Sequence, residues 1–182
     1  MHRLASCPGV DPPEDVVLVE QPAADVLFLS SAATDLSTLA SYLASAGGEH
    51  WRNQIRGLSL DCLSHPAQLD HYLASTAIQA KLVLVRLLGG RGHWSYGLEQ
   101  LQRWKDGGEG RHLVILAGTD DQNNELHGLG SISLALADRL AELLREGGVD
   151  NLGEVLRALE LLLQEQQPCL LYTSDAADEG LG

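Results

Sequence analysis

What most constrains this chain is the passage between Lys81 and Trp104, KLVLVRLLGGRGHWSYGLEQLQRW, where an apolar run meets glycines and then a helical stripe. Leu82 to Val85 is apolar without a break, rich in β-branched residues and too short for a helix, which is the pattern of a parallel strand buried on both faces. Gly89, Gly90, Gly92 and Gly97 punctuate the next residues, with Arg91, His93, Trp94, Ser95 and Tyr96 among them. Leu98, Leu101 and Trp104 then recur at helical spacing, separated by Glu99, Gln100, Arg103 and Lys105. Strand, glycine-rich turn and helix make half of a βαβ unit. In an open α/β sheet such a turn lies at the carboxyl end of its strand, where ligands bind.

The same alternation runs along the chain. Val26 to Leu29 is a candidate first strand, followed by a helix with Leu36, Leu39, Ala40 and Leu43 on one stripe. Thr34 or Asp35 is expected to cap that helix and Gly47-Gly48 to stop it. Ile55 to Leu60 predicts a second strand, and Pro66 opens a helix carrying Leu69, Tyr72 and Leu73. His112 to Ala117 is a further strand, and Ile132 to Leu144 is a helix ended by Gly147-Gly148. A last helix is expected over Leu152 to Leu163, capped by Asn151, and Val16 to Val19 is a short edge-strand candidate. These units predict an α/β fold: a doubly wound, mostly parallel sheet, flavodoxin-like or Rossmann-like, ending in helices that lead toward a further domain. The expected division is an α/β domain over 1–150, a connecting helix over 151–168 with an uncovered leucine face, and a separate tail over 169–182.

Charge excludes some partners. Among 182 residues, 12 are basic and 25 acidic, for a net charge of −13, and no basic cluster of the kind a nucleic-acid binder needs occurs. No apolar stretch approaches the roughly 20 residues that span a bilayer. The opening lacks a secretory pattern, so the cytoplasm is the expected location. Cys7, Cys62 and Cys169 form neither a disulfide framework nor a zinc motif. No metal site is assigned, and no triad or carboxylate pair identifies a catalytic residue.

The candidate binding residues gather at the carboxyl ends of strands. Arg86 and Arg91 have the planar fork that pairs with ligand carboxylates, although Arg86 equally suits a carboxylate inside the domain. His93, Trp94 and Tyr96 suggest a flat wall for an extended ring, against the simpler reading of each as core or rim. His65, before Pro66, is either a ligand contact or a helix-start histidine. Gly89, Gly90, Gly92 and Gly97 shape a tight turn, against the alternative of backbone amides cradling a phosphate at the helix start; they match neither GxGxxG nor GxxxxGK[ST]. Asp120, Asp121 and Glu125 form an acidic loop, read as solvated.

The run Arg86-Leu87-Leu88-Gly89-Gly90-Arg91, followed by Trp94, Tyr96, Gly97, Leu98 and Glu99, resembles the amino-terminal region of the cobaltochelatase large subunit (CobN type), a family related to the magnesium chelatase large subunit. Met1-His2-Arg3-Leu4 through Ala24 to Ser30 is similar to that family's start as well. The resemblance reaches about Leu163 and covers a small part of the family's polypeptide. It implies a subunit that holds a tetrapyrrole while Co2+ is inserted into hydrogenobyrinic acid a,c-diamide in aerobic cobalamin synthesis. Two smaller subunits of the ATPase-motor type would hydrolyse ATP; this chain would bind no cofactor and would be inactive alone. A magnesium chelatase with a porphyrin substrate and a free-standing flavodoxin-like binding module are the alternatives. Cys169 to Glu179, CLLYTSDAADE, resembles a translated transposon-end adapter, so a native frame interrupted near Pro168 is expected.

Overall fold

The structure, a computed structural model, describes residues 16–119 and 123–165. The chain's opening through Asp15, Asp120, Asp121 and the 169–182 tail lie outside the described residues, and with them Cys7, Cys169 and the adapter-like stretch.

Four parallel strands form one sheet: β1 (Val26–Ser30), β2 (Ile55–Ser59), β3 (Leu82–Leu87) and β4 (His112–Ala117), in the order β2-β1-β3-β4. Every residue of β1 and β3 is buried, as unbroken apolar runs require between two helical layers. Alternation then sorts the side chains. Val26, Phe28, Leu82, Leu84, Val114 and Leu116 face one layer, and Leu27, Leu29, Val83, Val85, Leu113 and Ile115 the other.

Helices α1 (Ala33–Ala44), α5 (Leu134–Glu146) and α6 (Val149–Leu163) cover the first face. Helices α2 (Pro66–Ser75) and α3 (Ser95–Asp106) cover the second. A short α4 (Asn123–His127) closes the end of β4. The fold is therefore doubly wound, as the alternating pattern predicts. From β1 the chain moves outward to β2 and then crosses back to β3 on the other side of β1. The topological switch point lies between β1 and β3, the place where open α/β sheets form their ligand crevice.

Several local expectations change. Val16–Val19 pairs with no strand among the described residues. Its segment instead lies along α2: Gln68 Nε2 donates to the Val17 carbonyl, and Gln21 receives the Tyr72 hydroxyl at 2.7 Å. Gln21 Nε2 also donates to the Gly57 carbonyl in edge strand β2, which blunts that edge. Helix α1 begins after Ala32, whose methyl offers no cap, so Thr34 and Asp35 lie within its first turn and Asp35 faces inward to an ion pair. It ends before Ser45, with Gly47-Gly48 in a following 3₁₀ segment. Helix α6 starts at Val149, earlier than expected, and Asn151 lies within it, its amide donating to the Gly147 carbonyl. Gly147 and Gly148, at φ 72° and 90°, make the α5–α6 corner with a backbone that side chains disfavour.

The largest correction concerns α6. An uncovered leucine face was expected, yet Leu152, Val155, Leu156, Ala158 and Leu159 are buried against α1 and α5 in the first core. Burying the four larger side chains, Leu152, Val155, Leu156 and Leu159, yields roughly 1.5–3 kcal/mol each before entropy is counted. Up to Leu163 the helix is part of this core.

Candidate functional site

At the switch point Ser30 and Arg86 are register partners, the last residue of β1 beside the fifth residue of β3. Both follow the parity that faces α1. Arg86 Nη1 meets Asp35 Oδ1 at 2.5 Å, with the two side chains only 8% and 5% exposed. Asp35 Oδ2 accepts the Ser30 hydroxyl at 2.6 Å, and Ser30 Oγ accepts the Ala32 amide at 3.0 Å. The strand end, the β1–α1 turn and the first turn of α1 are thereby tied into one buried polar unit. Arg86 Nε has no hydrogen-bond partner among the described residues. Of the two sequence readings of Arg86, the geometry is that of a carboxylate pair inside the domain. Its guanidinium is buried on Asp35.

The glycine turn then leaves β3. Gly89 has φ 86°, and a Cβ there would come within 2.9 Å of the His93 imidazole, so the ring packs over a bare glycine. Arg91 to His93 form one 3₁₀ turn in which all three residues are exposed. Open space surrounds Gly92. Trp94 folds back: its indole occupies the space a Cβ on Gly97 would need, and its Nε1 donates to the Leu63 carbonyl at 3.1 Å. Tyr96 reaches α2, where its hydroxyl donates to Asp70 at 2.8 Å. That hydrogen bond to a carboxylate, followed by desolvation and the Asp70 charge, raises the phenol above its ordinary pKa.

Trp94 and Tyr96 thus tie the turn to the β2–α2 arm. His65 is the N-cap of α2: its Nδ1 accepts the Ala67 amide, and Gln68 Oε1 accepts the His65 amide in return. Arg91 and His93 are exposed beside Leu88 and Tyr96, and Arg91 carries the turn's exposed guanidinium. Arg91 Nη1 lies 3.7 Å from Glu125 Oε1 across the sheet edge, the side chains 51% and 59% exposed.

One residue escaped sequence reasoning. His127 is fully buried; its Nε2 accepts the Ala117 amide at 3.0 Å and its Nδ1 lies 2.7 Å from Asp138. With Nε2 accepting, Nδ1 carries the proton and donates to Asp138. The imidazole fastens the end of β4 to α4 and α5. No periodicity or spacing marks this lone histidine in the sequence.

Elsewhere, a groove of about 850 Å³ runs between α1 and α6, lined by Tyr42, His50, Trp51, Arg157 and Glu160 among others, and shares no residue with the turn. Among the described residues no three His, Cys, Asp or Glu side chains converge as a metal site, and no helix is long and apolar enough to cross a membrane.

No protein-family model matches the chain. Two curated relatives do. The aerobic cobaltochelatase subunit CobN of Pseudomonas aeruginosa is 31% identical over 160 residues, covering 87% of this chain. The CobN of a Sinorhizobium species is 35% identical over 161 residues, covering 84%. The chain spans 12% of the length of these relatives. Among solved structures, the catalytic subunit of cobaltochelatase from Mycobacterium tuberculosis superposes with a TM-score of 0.57 at 26% identity, over 81% of this chain and 11% of that one. Sequence and fold agree, and the chain belongs to the CobN-type family of cobaltochelatase large subunits, resembling their amino-terminal region.

Proposed function

We propose that this chain is a lobe of the tetrapyrrole-holding subunit of an ATP-dependent cobaltochelatase, acting in insertion of Co2+ into hydrogenobyrinic acid a,c-diamide. The observation that carries this reading is identity of 31% and 35% to CobN subunits over more than four-fifths of the chain. The matched relatives being cobaltochelatases favours cobalt and a corrinoid over magnesium and a porphyrin. Metal insertion requires a distorted ring, deprotonated inner nitrogens and a cation stripped of water. On this reading those tasks fall to the rest of the subunit, and the two smaller subunits supply ATP hydrolysis in the cytoplasm. The lobe would contribute a rigid sheet edge that presents Arg91 and His93. The closing of the first core by α6 favours a lobe that folds as a unit, the property shared with the alternative of a free-standing binding module.

A transplant tests this. Replacing the corresponding region of the Pseudomonas aeruginosa subunit with residues 16–165, then adding the two smaller subunits, ATP, Co2+ and the corrinoid, should restore the absorbance change of cobalt insertion. A chimera that is soluble and assembles with its partners but inserts no cobalt would overturn the reading.

A further inference from the structure

We infer that Arg91 is a carboxylate-binding residue whose site is held by an internal stand-in, Glu125, that an anionic ligand displaces. The inference rests on the reading of this chain as part of a tetrapyrrole-holding subunit for its ligand class, a ring edged with carboxylates. Three observations converge on it.

The first is where charge is missing. In a chain of net charge −13, no acidic residue occurs from His71 through Leu98, a stretch that contains β3 and the whole glycine turn. The turn's own sequence thus adds no negative charge, and the described carboxylates that reach it, Asp70 and Glu125, come from α2 and α4.

The second is the division of labour within the turn. Arg86 is neutralised internally, Trp94 is tied to Leu63 and Tyr96 to Asp70. Arg91 and His93 remain exposed on a backbone stripped of side chains at Gly90 and Gly92. Fastening the turn at Trp94 and Tyr96 holds the backbone that carries these two, which lowers the ordering cost of binding.

The third is that a carboxylate already sits opposite Arg91. Glu125 Oε1 approaches Nη1 at 3.7 Å, so a carboxylate placed there can reach the guanidinium. Both groups are more than half exposed and the separation exceeds a hydrogen bond, so the pair is weak and exchange for a closer, bidentate ligand carboxylate costs little. Glu125 belongs to α4, which is anchored separately by His127, so it can swing away without loosening the sheet.

The test titrates the full chain with uroporphyrin, a ring bearing eight carboxylates, following porphyrin fluorescence, with a tetracationic porphyrin of the same ring as control. Glu125→Gln should tighten uroporphyrin binding roughly two- to fivefold, the scale of releasing an exposed ion pair. Arg91→Gln should weaken it roughly tenfold, the scale of a lost charge-assisted contact. The double variant should bind like Arg91→Gln alone, because the gain at Glu125 acts through Arg91. Glu146→Gln, a carboxylate removed from another part of the surface, should change binding less than twofold. Equal gains from Glu125→Gln and Glu146→Gln, a gain that survives Arg91→Gln, or tighter binding of the cationic ring would overturn the inference. If the swap holds while the cobalt-insertion chimera is inactive, the carboxylate site stands and the cobaltochelatase reading falls. An active chimera with an indifferent Arg91 means the reverse.

Discussion

Arg86 and Arg91 stand five residues apart in one motif and carry the same charge, yet the structure gives them opposite surroundings. Arg86 ends inside the sheet, on Asp35 at 2.5 Å with almost no exposed surface. Arg91 stands on an exposed 3₁₀ turn, 3.7 Å from Glu125. The first pair has lost its water and depends on its partner; the second has kept most of its water and depends on little. A motif identifies which arginines to examine, and burial decides which of them is architecture.

The contrast can be broken or sharpened by substitution. Arg86→Met has the largest expected effect, because it strands a buried carboxylate: stability by urea unfolding should fall by about 3–5 kcal/mol. A loss under 1 kcal/mol would mean that the Asp35 unit tolerates water. Gly97→Ala comes next. Its methyl must displace the Trp94 indole, and overpacking of this kind costs about 1–3 kcal/mol, with tryptophan emission moving toward the red as the ring is expelled. Trp94→Phe keeps a ring but deletes the bond to the Leu63 carbonyl, for a loss of about 1 kcal/mol.

A smaller effect is expected at Tyr96. Its raised phenol pKa means that the neutral form bonded to Asp70 is the folded state's preference, so this contribution is present below the ordinary phenol pKa and is lost as pH rises through the higher folded one. Ultraviolet titration should show Tyr96 ionising above the usual value of about 10 and moving down in Asp70→Asn. Tyr72 also ionises late, from burial rather than from a carboxylate, so Asp70→Asn should leave it in place. Smallest of all, Arg91→Gln should change stability by less than about 0.5 kcal/mol, as exposed pairs do.

How much of this was legible follows from the physics of each element. Uninterrupted apolar runs such as Leu82–Val85 have one stable setting, a strand covered on both faces, so the sheet and its winding could be read directly. The location of the turn at a strand's carboxyl end follows from the same pattern. Side-chain direction does not. Asp35 stood where a helix cap is expected, and only the register of Ser30 beside Arg86 makes an inward ion pair the better use of it. Trp94 and Tyr96 suggested a ring-binding wall because aromatics beside glycines suit one. Their destinations, Leu63 and Asp70, lie on another βα unit whose proximity is a tertiary fact. The leucines of α6 exceeded what one neighbour could cover, a correct reading; the structure supplies α1, α5 and the sheet together. His127 had no signal at all, since its partners are a backbone amide and an aspartate on other elements.

The most direct test is a pair of double-mutant cycles measured by urea unfolding: Arg86→Met with Asp35→Leu, and Arg91→Gln with Glu125→Gln. The buried pair should show a coupling of about 2–3 kcal/mol, with the double variant recovering much of what either single variant loses. The exposed pair should couple by less than about 0.5 kcal/mol. Comparable couplings in the two cycles, or a larger one at Arg91, would contradict the assignment of one arginine to the architecture and the other to the ligand edge.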